Sequence, residues 1–239
     1  MKKLLILTLI AGLSITSAKS QVLIALIFGD KLNTPNIEFG LNVGANYSTL
    51  LHHPDAKYKK GLNLGLYFNF KLNDHFYLHP ELMFMNQMGT MGVDGRDLPA
   101  GQEWDHPSLE TTREINYGTL VLLPRYKLTN HIYFEAGVHG SLLFTADDIV
   151  MVKPDDNTEL YYKEFIRPEI TNLDFGINVG LGFKFKKGEG VNLSLRYSRG
   201  FINIYKSSTY PAEYNTGYHV QVGIPIGLGK KDVKEQLDN

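Results

Sequence analysis

Hydrophobic and polar residues alternate without a break from Asn172 to Phe185. Leu173, Phe175, Ile177, Val179, Leu181, Phe183 and Phe185 share one face, and Asn172, Asp174, Gly176, Asn178, Gly180, Gly182 and Lys184 share the other. Period two is the pattern of a β-strand, whose successive side chains point to opposite faces. This run exceeds the five or six residues usual for a strand and is long enough to cross a bilayer when tilted. The same rhythm governs Ile37 to Tyr47 and Leu62 to Leu72. Weaker versions over Phe76 to Met88, Ile115 to Leu128, Ile132 to Phe144, Val191 to Ile204 and Gly217 to Leu228 bring the predicted strands to eight. An even number suits a closed antiparallel barrel with both termini on one side of a membrane.

The connections sort by length. Asn73 to His75, Thr129 to His131 and Lys186 to Gly190 are short, whereas Leu50 to Lys59, Gly89 to Glu110, Thr145 to Thr171 and Tyr205 to Thr216 are long and polar. Short periplasmic turns facing long outer loops are the layout of outer-membrane barrels. The fold predicted is therefore all-β, an eight-stranded antiparallel transmembrane barrel over residues 37–228.

The polar face decides between membrane and water. A soluble ligand-binding barrel keeps its apolar residues inside, lining a cavity. Here the second face mixes Gly and Asn with Glu38, Lys71, Glu81, Arg125, Lys127, Glu135, Asp174, Lys184 and Arg196, a set suited to the lumen of a narrow barrel. Eight strands leave room only for their own side chains, so an open pore is not expected. The apolar face then meets lipid, and closure leaves no strand edge unsatisfied in hydrocarbon. Tyr47, Phe70, Phe76, Tyr126, Phe134, Phe144, Phe185 and Tyr218 are candidates for interfacial aromatic girdles.

The N-terminus refines the picture. Lys2 and Lys3, an apolar run from Leu4 to Ile15, and Ala18-Lys19-Ser20 before Gln21 read as a signal peptide over residues 1–20. Residues 21–36 are expected as a periplasmic segment, in which Val22 to Phe28 could be a short helix, an extra strand or a plug of the lumen floor, and 229–239 as a charged tail. No later run of 18 apolar residues predicts a transmembrane helix. Net charge is −1 and the pI about 6.7, which gives no basic excess for nucleic acid. Cysteine is absent, removing disulfides, thiolate metal sites and Cys nucleophiles.

Several stretches resemble the outer-membrane β-barrel domain family that includes the PorT-like proteins of Bacteroidota. They are QVLIALIFGDKLN with IEFGLNVGANYS, LVLLPRYKL-TNH-IYFEAGVHGSLLFTA, and LDFGINVGLGFKF with VNLSLRYSRGFINI, and the resemblance spans about residues 21 to 229. It implies an integral outer-membrane protein of about eight strands, and some relatives take part in type IX secretion. Many such barrels end on an aromatic residue, whereas this chain ends GIPIGL followed by GKKDVKEQLDN.

Candidate chemistry concentrates in the lumen. Glu81 and Glu135 could serve as paired acid and base if close together, but buried charges need partners, and Lys71, Arg125, Lys127 and Arg196 are available to them. His79, His139 and His219 are expected to join the same network. With His52 and His53 they invite a metal hypothesis, yet no ligand spacing supports one. No cofactor is predicted. Carboxylates in the long loops, such as Asp94, Asp97, Asp147, Asp148 and Asp155, could bridge lipopolysaccharide through divalent ions, though exposed loops are ordinarily solvated by such residues.

The functional expectation is a non-enzymatic scaffold that displays its outer loops, with Tyr161, Tyr162 and Phe165 as the candidate contact. Outer-membrane lipid, lipopolysaccharide and an envelope or secretion protein are the expected partners. The rival readings are a lipid-modifying enzyme built on Ser141 and His139, and an accessory of protein secretion.

Overall fold

The computed structural model describes residues 34, 36–93, 110–155, 158–185 and 190–226. Nine strands cover most of them: β1 (Ile37–Leu51), β2 (Lys57–Lys71), β3 (Phe76–Val93), β4 (Glu110–Lys127), β5 (Ile132–Asp155), β6 (Thr158–Phe165), β7 (Leu173–Lys184), β8 (Asn192–Gly200) and β9 (Tyr214–Pro225). The predicted signal peptide, the segment from Val22 to Phe28 and the charged tail lie outside the described residues.

Eight of the nine strands close a ring in the order β4-β3-β2-β1-β9-β8-β7-β5, sealed by β4 pairing with β5. Every pairing is antiparallel. On β7 the side chains from Leu173 to Phe183 alternate between exposed and buried without exception. The exposed ones are apolar: Leu173, Phe175, Ile177, Val179, Leu181 and Phe183. Asp174 and Asn178 face the interior and are buried. A water-solvated barrel would reverse this assignment, so the alternation is inside-out and calls for hydrocarbon around the ring.

Narrowness shapes the lumen. A Cβ on Gly182 would lie 2.1 Å from the Tyr133 ring, and one on Gly40 would lie 2.4 Å from the Tyr67 ring. Glycine at these points lets two large aromatics fold flat against the opposite backbone near the inner end.

The outer end departs from the sequence reading. Thr145 to Thr171, expected as a loop, instead carries nearly half of β5 and all of β6. The register slips at Asn116/Tyr117 opposite Phe144, a bulge that switches which β5 residues face inward. Beyond it β5 pairs with β6 rather than β7, forming a hairpin that extends past the ring. β3 likewise continues to Val93 instead of ending at Met88, and β8 ends at Gly200, short of the predicted Ile204.

Residues 166–171 and 201–213 then fold inward over the mouth. Ile166, Ile170, Ile204 and Tyr205 pack with Leu50, Met88, Ile115, Tyr117, Leu143 and Ala146 in one buried cluster. Backbone bonds from Thr171 N to Ile204 O (2.7 Å) and from Lys206 N to Glu169 O (2.9 Å) hold the two segments together.

Candidate functional site

At the inner rim, Lys184 Nζ donates to Glu38 Oε2 at 3.0 Å, and the Tyr67 hydroxyl donates to Glu38 Oε1 at 3.2 Å. Deeper in the lumen four charges alternate. Arg125 Nε donates to Glu135 Oε2 at 2.7 Å, and Arg196 Nε donates to Glu135 Oε1 at 2.9 Å. Arg196 then grips Glu81 with both terminal nitrogens, at 2.9 and 3.0 Å. His79 Nε2 and Asn42 Nδ2 complete the shell of Glu81 Oε1 at 2.9 and 2.8 Å. The Arg125 guanidinium also lies over the Tyr133 ring, 4.4 Å from its centroid.

Two arginines offset two glutamates, so this cluster has no net charge to stabilise. Its members come from β1, β3, β4, β5 and β8, and such a lattice ties distant staves across the axis. Removing one partner of a buried pair leaves an uncompensated charge, which costs far more than the intact pair contributes.

A second polar layer, of amides, hydroxyls, imidazoles and one carboxyl group, lies outward of the Arg196 cluster. Asn63 Nδ2 is 2.9 Å from His219 Nδ1, and Ser198 Oγ is 2.7 Å from His219 Nε2. An amide nitrogen only donates, so His219 Nδ1 accepts and Nε2 carries the proton toward Ser198. Asn178 Nδ2 contacts His139 Nδ1 at 3.0 Å, and Asn215 Nδ2 donates to Asp174 Oδ2 at 2.9 Å. These residues line a cavity of about 30 Å³, room for a water or two rather than a substrate.

The predicted lumen residues thus fall in three places. Glu81, Arg125, Glu135, Arg196 and His79 converge, while His139, His219 and Asp174 occupy the second polar layer and Glu38 the inner rim. Lys71 and Lys127 do not join them. Both have inward parity but stand at the last position of a strand, where Lys71 turns to Asp74 at 2.7 Å. There the Lys71 hydrogen bond and charge hold the Asp74 carboxyl below the usual carboxylate range.

Ser141 and His139 both sit in the sealed lumen, where Ser141 Oγ bonds Thr119 Oγ1 at 2.9 Å and His139 bonds Asn178. They neither meet each other nor face lipid, as a lipid-acting nucleophile and base would need to. Among the described residues no three His, Asp or Glu side chains are grouped to hold a metal ion.

Beneath the outer cap lies a second charged chain that the sequence reading missed. Arg113 donates to Asp148 through Nε at 2.8 Å and Nη2 at 2.7 Å, and through Nη1 to the Tyr205 hydroxyl. Burial raises the Tyr205 phenol above its ordinary range, so it stays protonated and donates to Glu213 Oε2 at 3.3 Å. Glu213 Oε1 reaches His53 Nδ1 at 2.8 Å. This chain joins β4, β5 and two outer connections. Above it, Lys163 pairs with Asp147 at 3.0 Å, so Asp147 and Asp148 each have a cationic partner. Leu160, Tyr161, Tyr162 and Phe165 of β6 are all exposed, Tyr161 and Phe165 by more than 60%. Adjacent residues of a strand face opposite ways, so both sides of the hairpin present apolar groups.

A closed eight-stranded ring with an apolar outer face and a charged, filled lumen defines an outer-membrane β-barrel. The chain belongs to the outer membrane protein beta-barrel domain family, whose model matches residues 30–206. No functionally curated protein matches it. Among solved structures it is similar to Ail of Yersinia pestis, crystallised with the heparin analogue sucrose octasulfate, at 10% identity and TM-score 0.42, covering 80% of this chain and 99% of that one. Neisserial surface protein A is similar at 11% identity and TM-score 0.43, covering 78% and 96%. OprG of Pseudomonas aeruginosa is similar at 11% identity and TM-score 0.33, covering 79% and 91%.

Proposed function

We infer that this protein is a non-catalytic scaffold of the outer membrane, in which a sealed barrel holds the β5–β6 hairpin above the surface for contact with another macromolecule. One observation carries the reading: β6 exposes Leu160, Tyr161, Tyr162 and Phe165 on a strand that runs past a closed mouth. Large apolar side chains clustered in water are costly to maintain and mark interaction surfaces. The filled lumen supports display over conduction, since the Arg196 cluster and the apolar cap both lie across the path.

The test replaces Tyr161, Tyr162 and Phe165 with Ser in the full-length protein, leaving Asp148 and the cap intact. Crosslinking on intact cells followed by purification should recover a specific neighbour with the wild type and lose it with the triple variant. Recovery of the same neighbours from both proteins would overturn the reading. Loss of surface-exported proteins in a deletion strain, with the triple variant restoring export, would replace display by an accessory role in secretion.

A further inference from the structure

We propose that the outward face of β8, β9, β1 and β2 at its outer end binds a phosphorylated glycolipid of the outer leaflet, with Lys60 and Arg199 as the phosphate ligands. The inference rests on the outer-membrane placement of the barrel with its long connections outside.

The register builds the surface row by row. Lys60 pairs with Tyr47, Tyr47 with Tyr218, and Tyr218 with Tyr197, so one cross-strand row carries a lysine and three tyrosines on four adjacent strands. Two residues inward, the corresponding row is Leu62, Ala45, Val220 and Leu195. The change from wholly apolar to aromatic and basic within one step marks where hydrocarbon gives way to headgroups. Each member of the upper row stands three or four residues inside the outer end of its strand. Tyr58 and Arg199, both exposed, stand two residues farther out.

The row is assembled as a unit. The Tyr218 ring lies 5.4 Å from Tyr197 and 6.1 Å from Tyr58, and Lys60 Nζ is 5.9 Å from the Tyr47 ring centre. Hydroxyls on these rings add donors beside the two cations, which is the equipment a phosphate on a sugar needs.

Charge makes the site directional. The only carboxylate on β1, β2, β8 or β9 is Glu38, which faces the lumen at the opposite end. Among the described residues no carboxylate pairs with Lys60 or Arg199. Elsewhere at the outer end Lys59, Lys163 and Arg113 already engage Glu114, Asp147 and Asp148, so those cations are taken up in ion pairs. Three strand spacings and two residues separate the Cα positions of Lys60 and Arg199, roughly 16 Å. A headgroup with two phosphates spans that separation, whereas a single phosphate reaches one cation at a time.

The experiment uses the full-length protein in zwitterionic lipid nanodiscs, titrated with a bisphosphorylated glycolipid and read by native mass spectrometry. Binding to the Lys60→Gln/Arg199→Gln variant should be at least tenfold weaker than to the wild type, and Lys60→Arg should bind like the wild type. The wild type should discriminate against the dephosphorylated glycolipid and against phosphatidylglycerol, and millimolar inorganic phosphate should not compete. Equal binding by the double variant, equal binding of either control lipid, or competition by inorganic phosphate would each overturn the proposal. The lipid controls need no variant, so they hold even if the double variant fails to insert. Removing the β6 aromatics leaves this face untouched, which separates the result from that of the display reading.

Discussion

The Arg196 cluster in the lumen and the Arg113 chain beneath the cap use one chemistry, a guanidinium gripping carboxylate out of water, yet they hold different parts of the molecule. Arg196, Arg125, Glu81 and Glu135 all project from ring strands, so they fasten staves that lipid already forces together. Arg113 and Asp148 stand above the bulge opposite the end of β7, and their partners Tyr205, Glu213 and His53 belong to outer connections. The first set holds the shape of the cylinder. The second holds the mouth shut and steadies the base of the hairpin.

The largest expected effect tests the first half of that contrast. Arg196→Leu leaves Glu81 without its arginine and Glu135 with Arg125 alone, both carboxylates being essentially inaccessible, and should destabilise the barrel by about 3–5 kcal/mol. Urea unfolding of the reconstituted protein checks this, and adding Glu81→Gln should recover part of the loss by removing one stranded charge. A shift below the noise in the single variant would mean that the cluster contributes nothing to the ring.

Arg113→Leu comes next. Hydrogen bonds to charged groups are worth about 1.5–3 kcal/mol, and here the loss should fall on the cap. Limited proteolysis should cut within 145–171 or 201–213 while the ring persists as a folded species on gels. A loss of ring stability equal to that of Arg196→Leu would erase the distinction, because cap and cylinder would then unfold as one unit.

How far these regions could be read in the chain follows from the same contrast. Parity along β7, β1 and β2 assigned the lipid and lumen faces because the pleat alone decides which way a side chain points. It also placed Glu81, Arg125, Glu135 and Arg196 inside, though not which of them would touch. Lys71 and Lys127 share that parity and still lie outside the cluster, because both stand at the inner ends of their strands, far from Glu81 and Glu135, and Lys71 turns to the neighbouring Asp74. The outer end was opaque for two reasons. The bulge at Phe144 breaks the period that located everything else, and Asp147-Asp148 reads as solvated loop unless Arg113 is known to lie opposite. Ile166 and Ile170 were the available signal: β-branched apolar residues inside a supposedly polar loop. The His53–Glu213 contact joins residues 160 positions apart, and no local pattern encodes it.

The smallest expected effect sharpens the comparison by removing burial while keeping the ion pair. Lys71 and Asp74 meet at 2.7 Å on the inner turn, with Asp74 largely in water. Lys71 depresses the Asp74 carboxyl, by hydrogen bond first and charge second. A carboxyl lowered on folding stabilises the protein above its unfolded pKa, and that contribution disappears as pH falls through the folded value. Asp74→Asn should therefore leave the unfolding midpoint at neutral pH unchanged within error, because water screens an exposed pair. The variant should differ from the wild type only in the slope of stability against pH below the ordinary carboxylate range. If Asp74→Asn were as damaging at neutral pH as Arg113→Leu, pairing itself would be the stabilising factor. The contrast between lumen, cap and turn would then no longer be one of exposure to water.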